Sequence, residues 1–289
     1  MTTREQWIAG ARPKTLPAAI APVLVGTSFA GYNATFLHTL LALIVALSLQ
    51  VGVNYANDYS DGIKGTDADR VGPMRLVGSG AATPDAVKKA AFLSFFIASL
   101  AGLILASRTS WFLVALGALC ILAAWTYTGG PKPYGYQALG EVSVFIFFGV
   151  VATVGTYYVQ TESVSREVLL ASFAMGALAC AILVLNNLRD LEKDQLSNKK
   201  TLAVVMGDKE TRNLYKWLMF FALVMSVALT FFSFYYLLAL ISLPLVSKSV
   251  RAVTSGASGS ALIDLLAKTG RIQIIYAVAL SFAAWLVAR

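Results

Sequence analysis

Two short stretches of this 289-residue chain carry side chains that could do chemistry. In "NDYSDGIKGTD", Asn57 and Asp61 stand four apart, and Asp67 follows beyond Gly62 and Gly65. In "NNLRDLEKD", Asn186, Asp190 and Asp194 repeat the same four-residue step. On a helix that step stacks side chains on one face. Both stretches are interleaved with cations: Lys64, Arg70 and Arg75 near the first, Arg189, Lys199 and Lys200 near the second. Carboxylates alone would suit calcium. Carboxylates set among Lys and Arg suit an anion bridged by a metal. Mg²⁺ is commonly held by one or two carboxylates together with phosphate oxygens, and Arg and Lys neutralise the oxygens that remain. The chemistry expected is a diphosphate held through Mg²⁺.

The elements that must position these groups are apolar. The chain is 57% hydrophobic and 13% charged, with a mean hydropathy of +0.69, whereas a soluble domain carries about 25% charged residues. Uncharged apolar runs recur at 36–57, 110–131, 142–161, 168–188, 217–247 and 272–288, each long enough for a helix to cross a hydrocarbon core of roughly 30 Å. The fold class expected is an all-α polytopic membrane protein, a single domain over 1–289. Nine transmembrane helices are expected near 16–31, 37–56, 87–106, 110–128, 139–159, 167–187, 213–231, 233–249 and 271–288. The run 217–247 is read as two crossings because of charge. With nine crossings and a cytoplasmic N-terminus, only Arg108, Arg166 and Arg289 of the 23 basic residues fall outside. Fusing the run would move Lys248, Arg251, Lys268 and Arg271 outside as well, against the positive-inside rule. Both acidic stretches then face the cytoplasm. The net charge of +8 needs no nucleic acid, because anionic lipid attracts basic loops.

Composition also excludes chemistry. One histidine, His38, at the edge of an apolar run, rules against a histidine-dependent triad or a histidine-ligated metal. Cys120 and Cys180 stand singly in apolar runs and read as small buried hydrophobes. The segment 4–14 resembles a signal peptide, but Pro17 and Pro22 interrupt the apolar part and no cleavage site follows, so it reads as an uncleaved first helix. A diphosphate recognised inside an apolar protein points to one carried on a long lipid tail, its head at the cytoplasmic boundary and its tail between helices. Tyr127 and Tyr134 could shelter an allylic cation with their π faces, or belong to an interfacial aromatic belt. A transporter is the rival from another class. Transport sites lie near the midplane on broken helices, whereas these carboxylates lie at helix ends on one side.

With these residues in view, the chain resembles the UbiA superfamily of intramembrane aromatic prenyltransferases, along essentially its whole length. More narrowly it resembles the branch that prenylates 1,4-dihydroxy-2-naphthoate in menaquinone biosynthesis, on "ARPKTLPAAIAPVLVG", "NDYSDGIKGTDADRVGPMRLVGSG", "YTGGPKPYGYQALGE" and "NNLRDLEKDQLSNKKTLAV". The superfamily pattern puts a third carboxylate four residues after the second, where this chain has Gly65; Asp67 stands in for it, as in that branch. The resemblance implies a ring of nine helices around a central cavity, and residues 255–269 as a cap on it or a surface helix. It implies two Mg²⁺ ions, one on Asn57, Asp61 and Asp67, the other on Asp190 and Asp194 with Asn186 or Asn187 in support. Asp61, Asp190, Asp194 and Lys132 would be catalytic. Arg12, Lys14, Arg75, Lys132, Arg189 and Lys199 or Lys200 would meet the diphosphate and an anionic acceptor. The implied substrates are polyprenyl diphosphate and 1,4-dihydroxy-2-naphthoate, or another aromatic acceptor such as 4-hydroxybenzoate or homogentisate. The implied location is a bacterial cytoplasmic membrane, in contact with lipid.

Overall fold

Side-chain caps open most of the helices. We describe residues 2–65 and 74–289 of a computed structural model of the chain. Thr3 and Gln6 form a reciprocal capping box that opens Arg4–Ala11 (α1). Arg12 then turns the chain through a left-handed conformation, φ 54°, into a 3₁₀ turn at Pro13–Thr15 and helix Pro17–Phe29 (α2). Thr35 caps Phe36–Ile63 (α3) and Thr83 caps Pro84–Arg108 (α4), each hydroxyl accepting a backbone N–H three residues on. Helices Phe112–Thr126 (α5) and Gly140–Thr161 (α6) follow. Ser165 caps Arg166–Leu196 (α7) and Thr201 caps Leu202–Phe231 (α8), and the chain ends with Phe234–Thr254 (α9) and Ser260–Val287 (α10). No strand occurs among the described residues.

Seven of these helices are long and apolar enough to cross a membrane. α2 and α5 are apolar but have 13 and 15 residues, roughly 20 Å of helix at 1.5 Å per residue. Among the described residues, seven helices are long enough to cross and two more apolar helices, α2 and α5, are short, α2 because 3₁₀ turns at Pro13–Thr15 and Gly31–Asn33 abut it. The run 217–247 is split, as its charges required, by a break at Phe232 and Ser233, where Ser233 caps α9.

Two further expectations change. α3 and α7 run past the expected ends at 56 and 187, to Ile63 and Leu196, so Asn57, Asp61, Asn186, Asp190 and Asp194 all ride on the last helical turns. Residues 260–269 form the beginning of α10, not a separate surface helix, and place Ile263 and Leu266 in the cavity wall.

α3 packs along α4, α7 along α8, and α2 sits among α3, α6, α7 and α10. A close backbone approach joins α6 to α7. A Cβ added at Gly149 would lie 2.4 Å from Gly176 Cα, so only small residues permit this crossing. The π-helical turns Phe145–Val151 of α6 lie at that contact. The main core lies between α2, α7, α8, α9 and α10, around Met175, Leu178, Leu185, Met219 and Leu280. Tyr276 bonds Ser226 and Tyr215 bonds Thr269 inside it, satisfying the buried phenols between helices. Outward, Phe96, Trp217, Phe231 and Phe234 are exposed, as suits a lipid-facing surface.

A cavity of about 920 Å³ opens between α2, α3, α4, α5, α6 and α7. Its depth is apolar, with Val23, Ala46, Gly102, Leu113 and Val159 in the wall. Its polar end is built from the C-terminal turns of α3 and α7, the turn at Arg12–Lys14 and the connection after α5.

Candidate active site

Among the described residues, two hydroxyls donate to the first motif. Asn57 and Asp61 stand one turn apart near the end of α3 and both line the cavity. Thr128 Oγ1 donates to Asn57 Oδ1 at 2.7 Å, and Tyr136 OH donates to Asp61 Oδ1 at 2.6 Å. Asp58, between them, faces the other way. Fully buried, it accepts the backbone N–H groups of Leu76 and Val77 and so latches the returning chain onto α3. That fold-building role accounts for one of the acidic residues of the stretch. Asp67 and Arg70 lie outside the described residues.

The second motif is held by a cation from its own helix. Arg189 makes a paired contact with Asp190, Nε to Oδ1 at 2.8 Å and Nη2 to Oδ2 at 2.7 Å, and Nη2 also donates to Asn186 Oδ1 at 2.9 Å. Both members of this ion pair are buried. Asp194 lies one turn further on.

Lys199 joins the two motifs. Its Nζ lies 3.8 Å from Asp61 Oδ2 and 4.0 Å from Asp194 Oδ1, and 5.0 Å from the centre of the Tyr136 ring. Lys64 sits beside the first motif's partners, donating to the Thr128 carbonyl at 2.7 Å and lying 4.9 Å from the Tyr136 ring centre. Partial burial draws Lys64 below the ordinary lysine range, an effect that Asp61 opposes and Lys199 reinforces.

Of the expected cations, Arg12, Lys14, Arg75, Arg189 and Lys199 line the cavity. Arg12 Nη2 is buried and, among the described residues, has no hydrogen-bond partner. Lys132 and Lys200 are exposed and contribute nothing to the wall. Lys200 is turned away because its carbonyl accepts the Ala138 N–H at 2.8 Å, tying its backbone to the connection before α6. Tyr127 and Tyr134 both line the cavity and meet edge to face at 5.4 Å. Burial raises both phenols above the ordinary tyrosine range, with Glu141 adding to the effect on Tyr127, so both rings present neutral π faces. Tyr134 also ties the connection to α5 and α6 through Ala123 O and Ser143 Oγ.

Sequence reasoning missed Thr128, Tyr136 and Glu141. All three lie within or beside "YTGGPKPYGYQALGE", whose density of tyrosine, glycine and lysine was the available signal.

The donor set fits a hard cation. It consists of carboxylate and amide oxygens, and among the described residues no group of three or more His, Cys, Asp or Glu converges as a self-sufficient metal cage.

Apolar helices of membrane-spanning length enclosing an apolar cavity with a charged mouth define the class: a polytopic membrane protein with a polar site at one end of its cavity. The chain belongs to the UbiA prenyltransferase family, whose model it matches over residues 19–261. It is 49% identical over 283 residues to the 1,4-dihydroxy-2-naphthoate octaprenyltransferase of Mycobacterium tuberculosis, covering 97% of each chain. It is 38% identical over 277 residues to the enzyme so named from Escherichia coli, covering 92% of this chain and 90% of that one. Among solved structures, its fold is similar to that of a UbiA homolog from Archaeoglobus fulgidus bound to DMAPP and Mg²⁺, with a TM-score of 0.68 at 14% identity over 97% of this chain and 99% of that one.

Proposed function

We propose that the protein transfers a polyprenyl group from polyprenyl diphosphate to 1,4-dihydroxy-2-naphthoate with loss of CO₂, giving demethylmenaquinol for menaquinone biosynthesis. The observation that carries this reading is the polar end of the cavity, where Lys199 stands within 4.0 Å of a carboxylate from each motif above an apolar chamber. The 49% identity to an octaprenyltransferase of that acceptor supports the choice of ring.

The residues present divide the work. Asn57, Asp61, Asn186, Asp190 and Asp194 would hold two Mg²⁺ ions, one per motif, with Asp67 joining the first. Bound there, Mg²⁺ would supply positive charge opposite the departing diphosphate. Arg12, Lys14, Arg75, Arg189 and Lys199 add fixed cations where negative charge accumulates as the allylic C–O bond breaks and its electron pair leaves with the diphosphate. The apolar depth takes the tail and excludes water that would capture the allylic cation. Tyr127 and Tyr134 offer neutral π faces to that cation. The electron-rich ring forms the new C–C bond, and its carboxylate carbon departs as CO₂. The charge distribution along the sequence supports a site facing the cytoplasm of a bacterial membrane.

Purified protein given Mg²⁺, polyprenyl diphosphate and the naphthoate should release diphosphate and form a product with the mass of prenylated acceptor minus CO₂. A product that keeps the carboxylate, or preferential use of 4-hydroxybenzoate or homogentisate, would overturn the choice of acceptor.

A further inference from the structure

A carboxylate stands inside the membrane-spanning part of the protein with no role in the scheme above. Glu141 lies in the first turn of α6 and is 8% exposed. A buried ionisable group in a membrane-spanning helix is costly and normally serves the site it adjoins. Its Oε1 accepts the Asn187 Nδ2–H at 2.9 Å, across 46 residues of sequence. Its Oε2 is buried and, among the described residues, has no hydrogen-bond partner. Glu141 is not part of the cavity wall, whereas Asn187 is.

The chemistry of the two side chains fixes their arrangement. An amide has a donating end and an accepting end, and an ionised carboxylate only accepts. With its NH₂ directed at Glu141, outside the wall, Asn187 has its carbonyl oxygen left for the cavity. We propose that Glu141 is a positioning residue that aims the Asn187 carbonyl oxygen into the cavity, where it accepts a hydrogen bond from a ring hydroxyl of the aromatic acceptor. The neighbourhood suits a flat ring. Tyr127 and Leu183 line the same wall, and Gly140 lets the Tyr127 hydroxyl approach so closely that a Cβ there would lie 2.9 Å from it. Asn186, one residue earlier, is engaged by Arg189 on the metal side. The two adjacent asparagines thus divide between donor and acceptor. This assignment rests on the proposed prenyl transfer to a hydroxylated ring.

Steady-state kinetics on the full-length enzyme, with the naphthoate, polyprenyl diphosphate and Mg²⁺ each varied, tests it. In Glu141→Gln the amide at 141 can donate as well as accept, so Asn187 is no longer held one way round. KM for the naphthoate should rise about tenfold, the size of one lost hydrogen bond, while KM for polyprenyl diphosphate and the Mg²⁺ activation constant stay within about twofold. Asn187→Asp should be impaired in the same parameter, since two carboxylates then face each other. The double variant Glu141→Gln/Asn187→Asp restores a donor facing an acceptor and should recover most of the naphthoate KM. Asn187→Leu, which lacks the oxygen altogether, gives the same readout should the variants at 141 fail to fold. A shift in Mg²⁺ activation with an unchanged naphthoate KM would overturn the proposal in favour of a metal-side role for Asn187. Additive losses in the double variant would equally overturn it. A wild-type enzyme that does not turn over the naphthoate would refute the proposed reaction itself, before any variant is compared.

Discussion

The C-terminal turns of α3 and α7 carry the same Asn-x-x-x-Asp spacing, and the described residues hold them differently. On α3, among the described residues, Asn57 and Asp61 accept from the hydroxyls of Thr128 and Tyr136, and Lys199 Nζ stands 3.8 Å from Asp61 Oδ2. On α7, Asp190 is locked to its own neighbour Arg189 in a buried two-point ion pair that also holds Asn186. Equal spacing in sequence therefore does not mean equal electrostatics. Among the described residues, Asp61 takes a hydroxyl donor and a lysine at 3.8 Å, whereas Asp190 is matched at two points by the adjacent guanidinium. Removing the acid has different consequences at the two ends, and that difference can be measured.

The largest effect should come from Asp190→Asn. It removes a carboxylate from the reaction centre and leaves Arg189 buried without its full counter-charge. Loss of one partner from a buried pair costs about 3–5 kcal/mol, so a lowered Tm should accompany a fall in kcat of about 10²–10³. Asp61→Asn should lose a similar factor in kcat with little change in Tm, because Tyr136 can still donate to the amide oxygen. Equal Tm losses in the two variants would break the contrast.

Adjacent lysines sharpen it at the next scale. Lys199→Met should lower kcat by about tenfold to a hundredfold through loss of a charged group beside the diphosphate. Lys200→Met, whose side chain is exposed, should stay within about twofold. Diphosphate-release assays on both would decide which lysine serves the site. The smallest effect belongs to Tyr136→Phe, which removes a single hydrogen bond to Asp61 and should cost about 1 kcal/mol, roughly a fivefold loss of kcat/KM.

What was legible in the sequence follows the same physical lines. Four-residue spacing announced the paired motifs, and one-sided charge announced the break between α8 and α9. Hydropathy alone put the end of α3 near Ala56, because it reports contact with lipid and not helix formation. The helix runs on through Ser60 and Asp61, whose side chains are buried against protein. Arg12, Lys14, Arg75, Arg189 and Lys199 were recognisable as cations near the motifs, but composition cannot say that Lys132 and Lys200 face outward. Direction is set by tertiary ties such as the Ala138–Lys200 backbone bond. The partnerships of Tyr136 with Asp61 and Glu141 with Asn187 span 75 and 46 residues. No local pattern encodes contacts at such separations.

The central claim is that both motifs act on one diphosphate in one site, bridged by Lys199. A double-mutant cycle of Asp61→Asn and Asp194→Asn, read as diphosphate release across a Mg²⁺ titration, tests it most directly. A single shared site predicts strong non-additivity, with the double variant no more than a few-fold below the worse single variant. Losses that multiply in full, with each motif responding to Mg²⁺ independently of the other, would contradict it.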